Sequence, residues 1–100
     1  MLDGFLLLYS CCVHLPYEAI RSKLNGQNIV QVREEDLVYF KNLTSLDLAD
    51  NNVSMQQLAN LVAIEELDLQ YNNIDHLELV QGTFLKLLTL RLSYNRVPPA

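Results

Sequence analysis

The sequence predicts an α/β fold: a solenoid with short parallel strands on a concave face and short helical, 3-10 or irregular segments on a convex face. Three observations carry this. Leucine fills 21 of the 100 positions. A pattern of four apolar positions and one asparagine recurs three times in register. Its asparagines, Asn51, Asn72 and Asn95, stand 21 and then 23 residues apart. A near-fixed period of that length marks stacked units, each of which needs a neighbour to bury its apolar side.

The first full unit reads Leu43-Thr44-Ser45-Leu46-Asp47-Leu48-Ala49-Asp50-Asn51-Asn52-Val53, or LxxLxLxxNxV. The second, from Ile64 to Ile74, reads IxxLxLxxNxI, and the third, from Leu87 to Val97, reads LxxLxLxxNxV. The LxL core alternates with period two, as a strand with one leucine face does. The asparagine follows the strand where the chain turns inward, and its amide suits backbone groups that no ladder partner serves. Asn51, Asn72 and Asn95 are therefore expected to form a structural asparagine ladder. Between strands, Leu58, Leu61 and Ile64 recur every three residues, as do Leu37, Phe40 and Leu43, which predicts helical or 3-10 segments packing inward. Gln81-Gly82-Thr83 predicts an irregular turn before a short helical piece that carries Phe84 and Leu87.

These motifs resemble the leucine-rich repeat family. The resemblance covers about residues 37–97 and extends back to about 20 through a degenerate unit. In that unit Ser22 replaces the first strand leucine, while Leu24, Gln27 and Ile29 stand for the second leucine, the asparagine and the following aliphatic. The implied organisation is an N-terminal capping segment with a degenerate repeat over 1–36, repeats over 37–97, and a truncated tail over 98–100. The repeat length is similar to the short class of intracellular regulatory and cytoskeletal proteins, whereas Gly82-Thr83-Phe84 is similar to the class of extracellular receptors. Asp3-Gly4-Phe5-Leu6-Leu7, Gly26-Gln27-Asn28-Ile29-Val30 and Glu34-Glu35-Asp36-Leu37 resemble the leader and first unit of the X-ray radiation resistance-associated proteins, larger repeat proteins of nucleus and cytoplasm. With Pro98-Pro99-Ala100 directly after the last turn, the expectation is a fragment of a longer array.

The N-terminal run Phe5–Val13 is apolar over nine residues but has no Lys or Arg before it and carries Asp3 in the place of a basic leader. It falls far short of the ~20 residues of a membrane span. The reading is a buried strand or capping segment, with no membrane span and a cytoplasmic or nuclear location. Vicinal Cys11 and Cys12 are poorly shaped for bridging each other. They are expected as buried reduced thiols in that strand, in a reducing compartment.

Alternation along each strand sends the residues beside the leucines out to the concave face. One column is Asp47, Asp68, Arg91, begun by Lys23; another is Ser45, Glu66, Thr89, begun by Arg21; a third is Ala49, Gln70, Ser93. Asp50, Tyr71 and Tyr94 stand at the strand ends. At a strand spacing of about 4.8 Å, Asp68 is within reach of Arg91, and Asp47 of Lys23. Two readings stand side by side. One is a solvated charged face with weak cross-strand pairs. The other is an acidic protein-binding patch of Asp47, Asp50, Glu66 and Asp68 beside Tyr71 and Tyr94, with Ser45, Gln70, Arg91 and Ser93 on the same face.

No P-loop, GxGxxG, HExxH, GxSxG or paired CxxC occurs, and His14 and His76 stand alone in sequence. The net charge of −5 argues against a general binder of nucleic acid. The resemblance implies a non-enzymatic protein–protein interaction module or scaffold. It would bind a protein partner, with a basic surface as one candidate, and need no cofactor, metal or small-molecule substrate. The alternatives are a structural subunit of a larger intracellular assembly and a fragment of a receptor ectodomain. Sugar on Asn42 or Asn52, each in an N-x-S/T sequon, would favour the ectodomain.

Overall fold

A computed structural model of the chain describes residues 1–77 and 80–97. Strands β1 (Arg21–Lys23), β2 (Ser45–Asp47), β3 (Glu66–Asp68) and β4 (Thr89–Arg91) form one open parallel sheet in chain order. The register runs Ser22, Leu46, Leu67, Leu90 along the central row. Parallel neighbours need a crossover, because no tight turn can return the chain to the same end of the sheet. Here helix α2 (Glu34–Leu37) lies in the first crossover and a 3-10 turn at Gln56–Leu58 in the second.

The sheet's inner side is leucine on leucine. Leu46 and Leu67 are at most 2% exposed, and Leu48 and Leu69 are fully buried. The crossovers close over them with Leu37, Phe40, Leu43, Leu58, Leu61 and Ile64, none more than 2% exposed. Each such side chain contributes roughly 1.5–3 kcal/mol by leaving water. Backbone pairing runs past the three-residue strands: the amides of Leu24, Leu48 and Leu69 donate to the carbonyls of Asp47, Asp68 and Arg91 at 2.8, 2.9 and 2.9 Å.

Beyond the strands the asparagines stitch each turn to the one before it. Asn51 accepts from the amides of Gln27 (3.1 Å) and Ile29 (2.9 Å), and its Nδ2 donates to the carbonyls of Leu24 and Leu48 at 3.0 Å each. Asn72, 2% exposed, accepts from Val53 N at 3.0 Å and donates to Leu48 O at 2.9 Å. Asn95 accepts from the amides of Asn72 and Ile74 at 2.9 Å each and donates to Leu69 O at 2.7 Å. Each side chain thus serves its own turn and the preceding one. Gln27 holds the equivalent position in the first unit but does not act as the asparagines do. Its side chain is exposed and reaches only Asn25 O, at 3.4 Å. The turn it would serve is already held by Asn51.

Two expectations are corrected. The N-terminal apolar run is a helix, α1 (Gly4–Cys11), and not a strand. Asp3 caps it by accepting from Leu6 N at 2.9 Å, and Cys12 closes it with a left-handed backbone, φ 55°. Cys11 is therefore half-buried, its Sγ donating to Arg21 O at 3.0 Å, and Cys12 is exposed. The two thiols do not share a buried strand. The helix packs on β1, where Ser22 is 5% exposed and its hydroxyl meets Ser10 Oγ at 2.6 Å. Ahead of the helix, Leu2 is fully buried and pairs in parallel with Val32.

The second correction concerns the third crossover. Among its described residues, 80–88 are turns and bends with no helical piece. Thr83 folds back on Val80 O through its amide (3.1 Å) and hydroxyl (2.6 Å), and Gly82 sits at φ +89°, which a side chain would strain. The 98–100 tail expected from sequence lies outside the described residues. Among those residues no helix is long and apolar enough to cross a membrane.

Candidate functional site

The outer face of the sheet carries the candidate site, because three-residue strands send the two residues flanking each buried centre outward. Pairing aligns Arg21, Ser45, Glu66 and Thr89 in one row and Lys23, Asp47, Asp68 and Arg91 in the next. All of these but Thr89 line a groove of about 370 Å³, to which Ser10 of α1 also contributes. Ser10 was not foreseen from sequence. It reaches the face only because the N-terminal run is a helix laid against β1.

The aspartates do not make the cross-strand ion pairs expected of them. Among the described residues the charge pairs within 4.0 Å are Arg33–Glu35, at the start of α2, and Asp75–His76, on an exposed loop. Asp47 Oδ1 instead accepts from Ala49 N at 2.9 Å, and Asp68 Oδ1 from Gln70 N at 3.0 Å. Gln70 Nε2 adds contacts of 3.2 and 3.1 Å to the Asp68 carboxylate. A carboxylate capping an amide two residues on is a local turn device, and it wins over a distant cation that must give up water and rotamer freedom. The other oxygen of Asp47, which lines the groove, makes no hydrogen bond among the described residues. Glu66 is exposed, and its carboxylate accepts no hydrogen bond among the described residues.

One row further along, the third column, Ala49, Gln70 and Ser93, supplies carbonyls to the amides of Gly26, Asp50 and Tyr71 at 2.9, 2.9 and 3.2 Å. Those pairings align Gly26, Asp50, Tyr71 and Tyr94. All four have left-handed backbones, with φ of 65°, 57°, 57° and 61°. Glycine takes this conformation freely and aspartate tolerates it, but a bulky aromatic there is uncommon and costs roughly 1–2 kcal/mol. The two tyrosine rings stack with centroids 4.4 Å apart and planes 3° from parallel, yet Tyr71 remains 51% and Tyr94 69% exposed. The Tyr71 phenol is held above the ordinary tyrosine range, first by desolvation against its neighbour, then by Tyr94 and the Asp50 charge. Sequence alone carried a signal for this row: glycine at the equivalent place in the first unit marks a left-handed position.

Asn51, Asn72 and Asn95 lie behind this face with their amides committed to backbone, so the ladder and the face are separate sets. The histidines add no site chemistry on the sheet face. His76 Nδ1 meets Asp75 at 2.7 Å on an exposed loop, which lowers the Asp75 pKa, and His14 is exposed beyond α1. Among the described residues no cluster of three His, Cys, Asp or Glu side chains is placed to hold a metal ion. No family model, curated protein or solved structure matches the chain.

Proposed function

We propose that the chain is a leucine-rich repeat solenoid segment acting as a non-enzymatic protein–protein interaction module, with the outer face of the sheet as its concave binding surface. The observation that carries this reading is the Tyr71–Tyr94 stack, held exposed on left-handed backbone just past the strand ends, beside a sheet face whose charged side chains form no ion pairs with one another among the described residues. Exposed aromatics on a rigid frame are effective anchors for a partner, because little rotamer entropy is lost when they are covered. The solenoid part of the reading is supported by the one-unit register of the strands and by the asparagines that bridge successive turns. Cytoplasm or nucleus is the proposed location.

The test is cross-linked capture from cell extract with wild-type chain and an Asp47→Asn/Asp68→Asn/Tyr71→Asn variant. Asparagine keeps the turn-capping oxygen and tolerates the left-handed backbone. Partner recovery should fall at least several-fold while the circular dichroism spectrum stays the same. Equal recovery removes the proposal. A second reading, a structural subunit of a larger assembly, is favoured by the exposed Leu85 and Leu88 beside β4. Recovery lost with Leu85→Gln/Leu88→Gln, and indifferent to the sheet face, would select it.

A further inference from the structure

We infer that Asp50 and the Tyr71–Tyr94 stack form a subsite for an arginine side chain of the partner, an assignment that rests on the sheet-face reading above. The four acids of the outer face are not equivalent. Asp47 and Asp68 each spend an oxygen on a backbone amide. Asp50 accepts no hydrogen bond among the described residues, and its Oδ2 leans back over Gly26, 3.6 Å from where a β-carbon there would stand. At that distance a β-carbon would only make ordinary contact, so glycine is required there by its left-handed φ of +65° and not by space. In the row Asp50 is the neighbour that precedes Tyr71.

One face of Tyr71 is taken by Tyr94. Its other face is on the side of the preceding turn, which carries Asp50, and half of the residue is open to solvent. A planar guanidinium laid on that face satisfies both neighbours at once. Its π-surface stacks on the ring, and its edge presents paired N–H donors to the free carboxylate. An ammonium is a compact, strongly hydrated point charge that can meet the carboxylate but cannot stack, so the site selects arginine over lysine. Left-handed backbone at residues 50, 71 and 94 gives their β-carbons a common direction, which preorganises the pocket.

The experiment titrates the intact chain with acetyl-Gly-Arg-Gly amide and, separately, acetyl-Gly-Lys-Gly amide. Tyrosine ring resonances are followed by NMR, together with the arginine side-chain protons. The subsite predicts saturable shifts at Tyr71 and Tyr94 with the arginine peptide, ring-current shifts on its δ-methylene, and about two- to fivefold weaker binding of the lysine peptide. Asp50→Asn and Tyr94→Leu should each weaken arginine binding by a similar factor or more. Tyr71→Phe should leave it intact, since the ring and not the hydroxyl makes the contact. Absence of a saturable shift at these rings overturns the subsite, as does identical binding by Asp50→Asn or by the lysine peptide. Should Tyr94→Leu unfold, the Asp50→Asn arm decides alone. If the peptide arms fail while partner capture still depends on Asp47 and Asp68, only the subsite falls. If capture ignores the sheet face, the wider reading falls, whatever the peptide does.

Discussion

The two ends of the sheet are finished in different ways. Beside β1, Leu2 and Leu7 are fully buried, Leu24 is 4% exposed, and a polar Ser10–Ser22 contact fills the place where later units have a leucine. Beside β4, Leu87, Leu90 and Leu92 are only half-buried, and Leu85 and Leu88 are 81% and 80% exposed. The same strand-and-turn unit lies at both ends, so the difference comes from the neighbour. A unit of this kind completes its core only against something stacked on it. At β1 that partner is a helix of unrelated sequence, which replaces a leucine contact with a hydroxyl pair and covers a strand edge that would otherwise be open. The open β4 side is where the second functional reading finds its apolar surface.

Predictions sharpen this contrast, from the largest effect down. Leu67→Ala in the middle of the sheet should cost about 3–5 kcal/mol in urea unfolding, whereas Leu90→Ala on β4 should cost about 1–2 kcal/mol. Equal losses would mean the β4 side is as closed as the centre. In the ladder, Asn72→Ala strands buried backbone groups of two turns and should cost about 2–3 kcal/mol, with Asn95→Ala about half that, because Asn95 is more exposed. Placing at the β1 end the leucine of the later units, Ser22→Leu, should destabilise by about 1–3 kcal/mol through overpacking against α1. Stabilisation instead would show that the helix is not seated there. Asp3→Ala removes the α1 cap and should cost about 1 kcal/mol, seen as lost helicity in circular dichroism.

The smallest effect is a titration. A raised Tyr71 pKa means the folded state favours the neutral phenol. Its contribution to stability is full below the unfolded value near 10.0 and is lost as pH rises through the higher folded value. Ultraviolet titration of wild type minus Tyr71→Phe should therefore show a phenolate step above pH 10.0. Tyr94→Leu should move that step down. A Tyr71 step at or below the ordinary value would contradict the stacked, desolvated geometry.

Much of the sheet was legible because period-two alternation and a repeated asparagine leave little freedom. Leu46, Leu48, Leu67 and Leu69 lie inside, and Asp47 and Asp68 stand in one row. Other features depended on competition that a pattern does not display. A short apolar run such as Phe5–Val13 fits a buried helix as well as a strand. Asp3, an N-cap three residues before Leu6, was the decisive local cue. Cross-strand salt bridges looked natural from spacing, but Asp47 and Asp68 found nearer donors two residues along their own chain. The left-handed row of Asp50, Tyr71 and Tyr94 emerges only when those residues are aligned with Gly26, since tyrosine itself argues against that conformation. The cost of holding the tyrosines there makes sense if the side chains are used.

Side-chain footprinting of the chain alone and in its captured complex tests the central claim most directly. Carboxyl labelling of Asp50 and Glu66 and oxidative labelling of Tyr71 and Tyr94 should fall several-fold on complex formation. Tyr9, Tyr17 and Tyr39, exposed on other surfaces, should label as before. Protection of those three tyrosines, with the sheet-face residues unchanged, would contradict the assignment of binding to the outer face of the sheet.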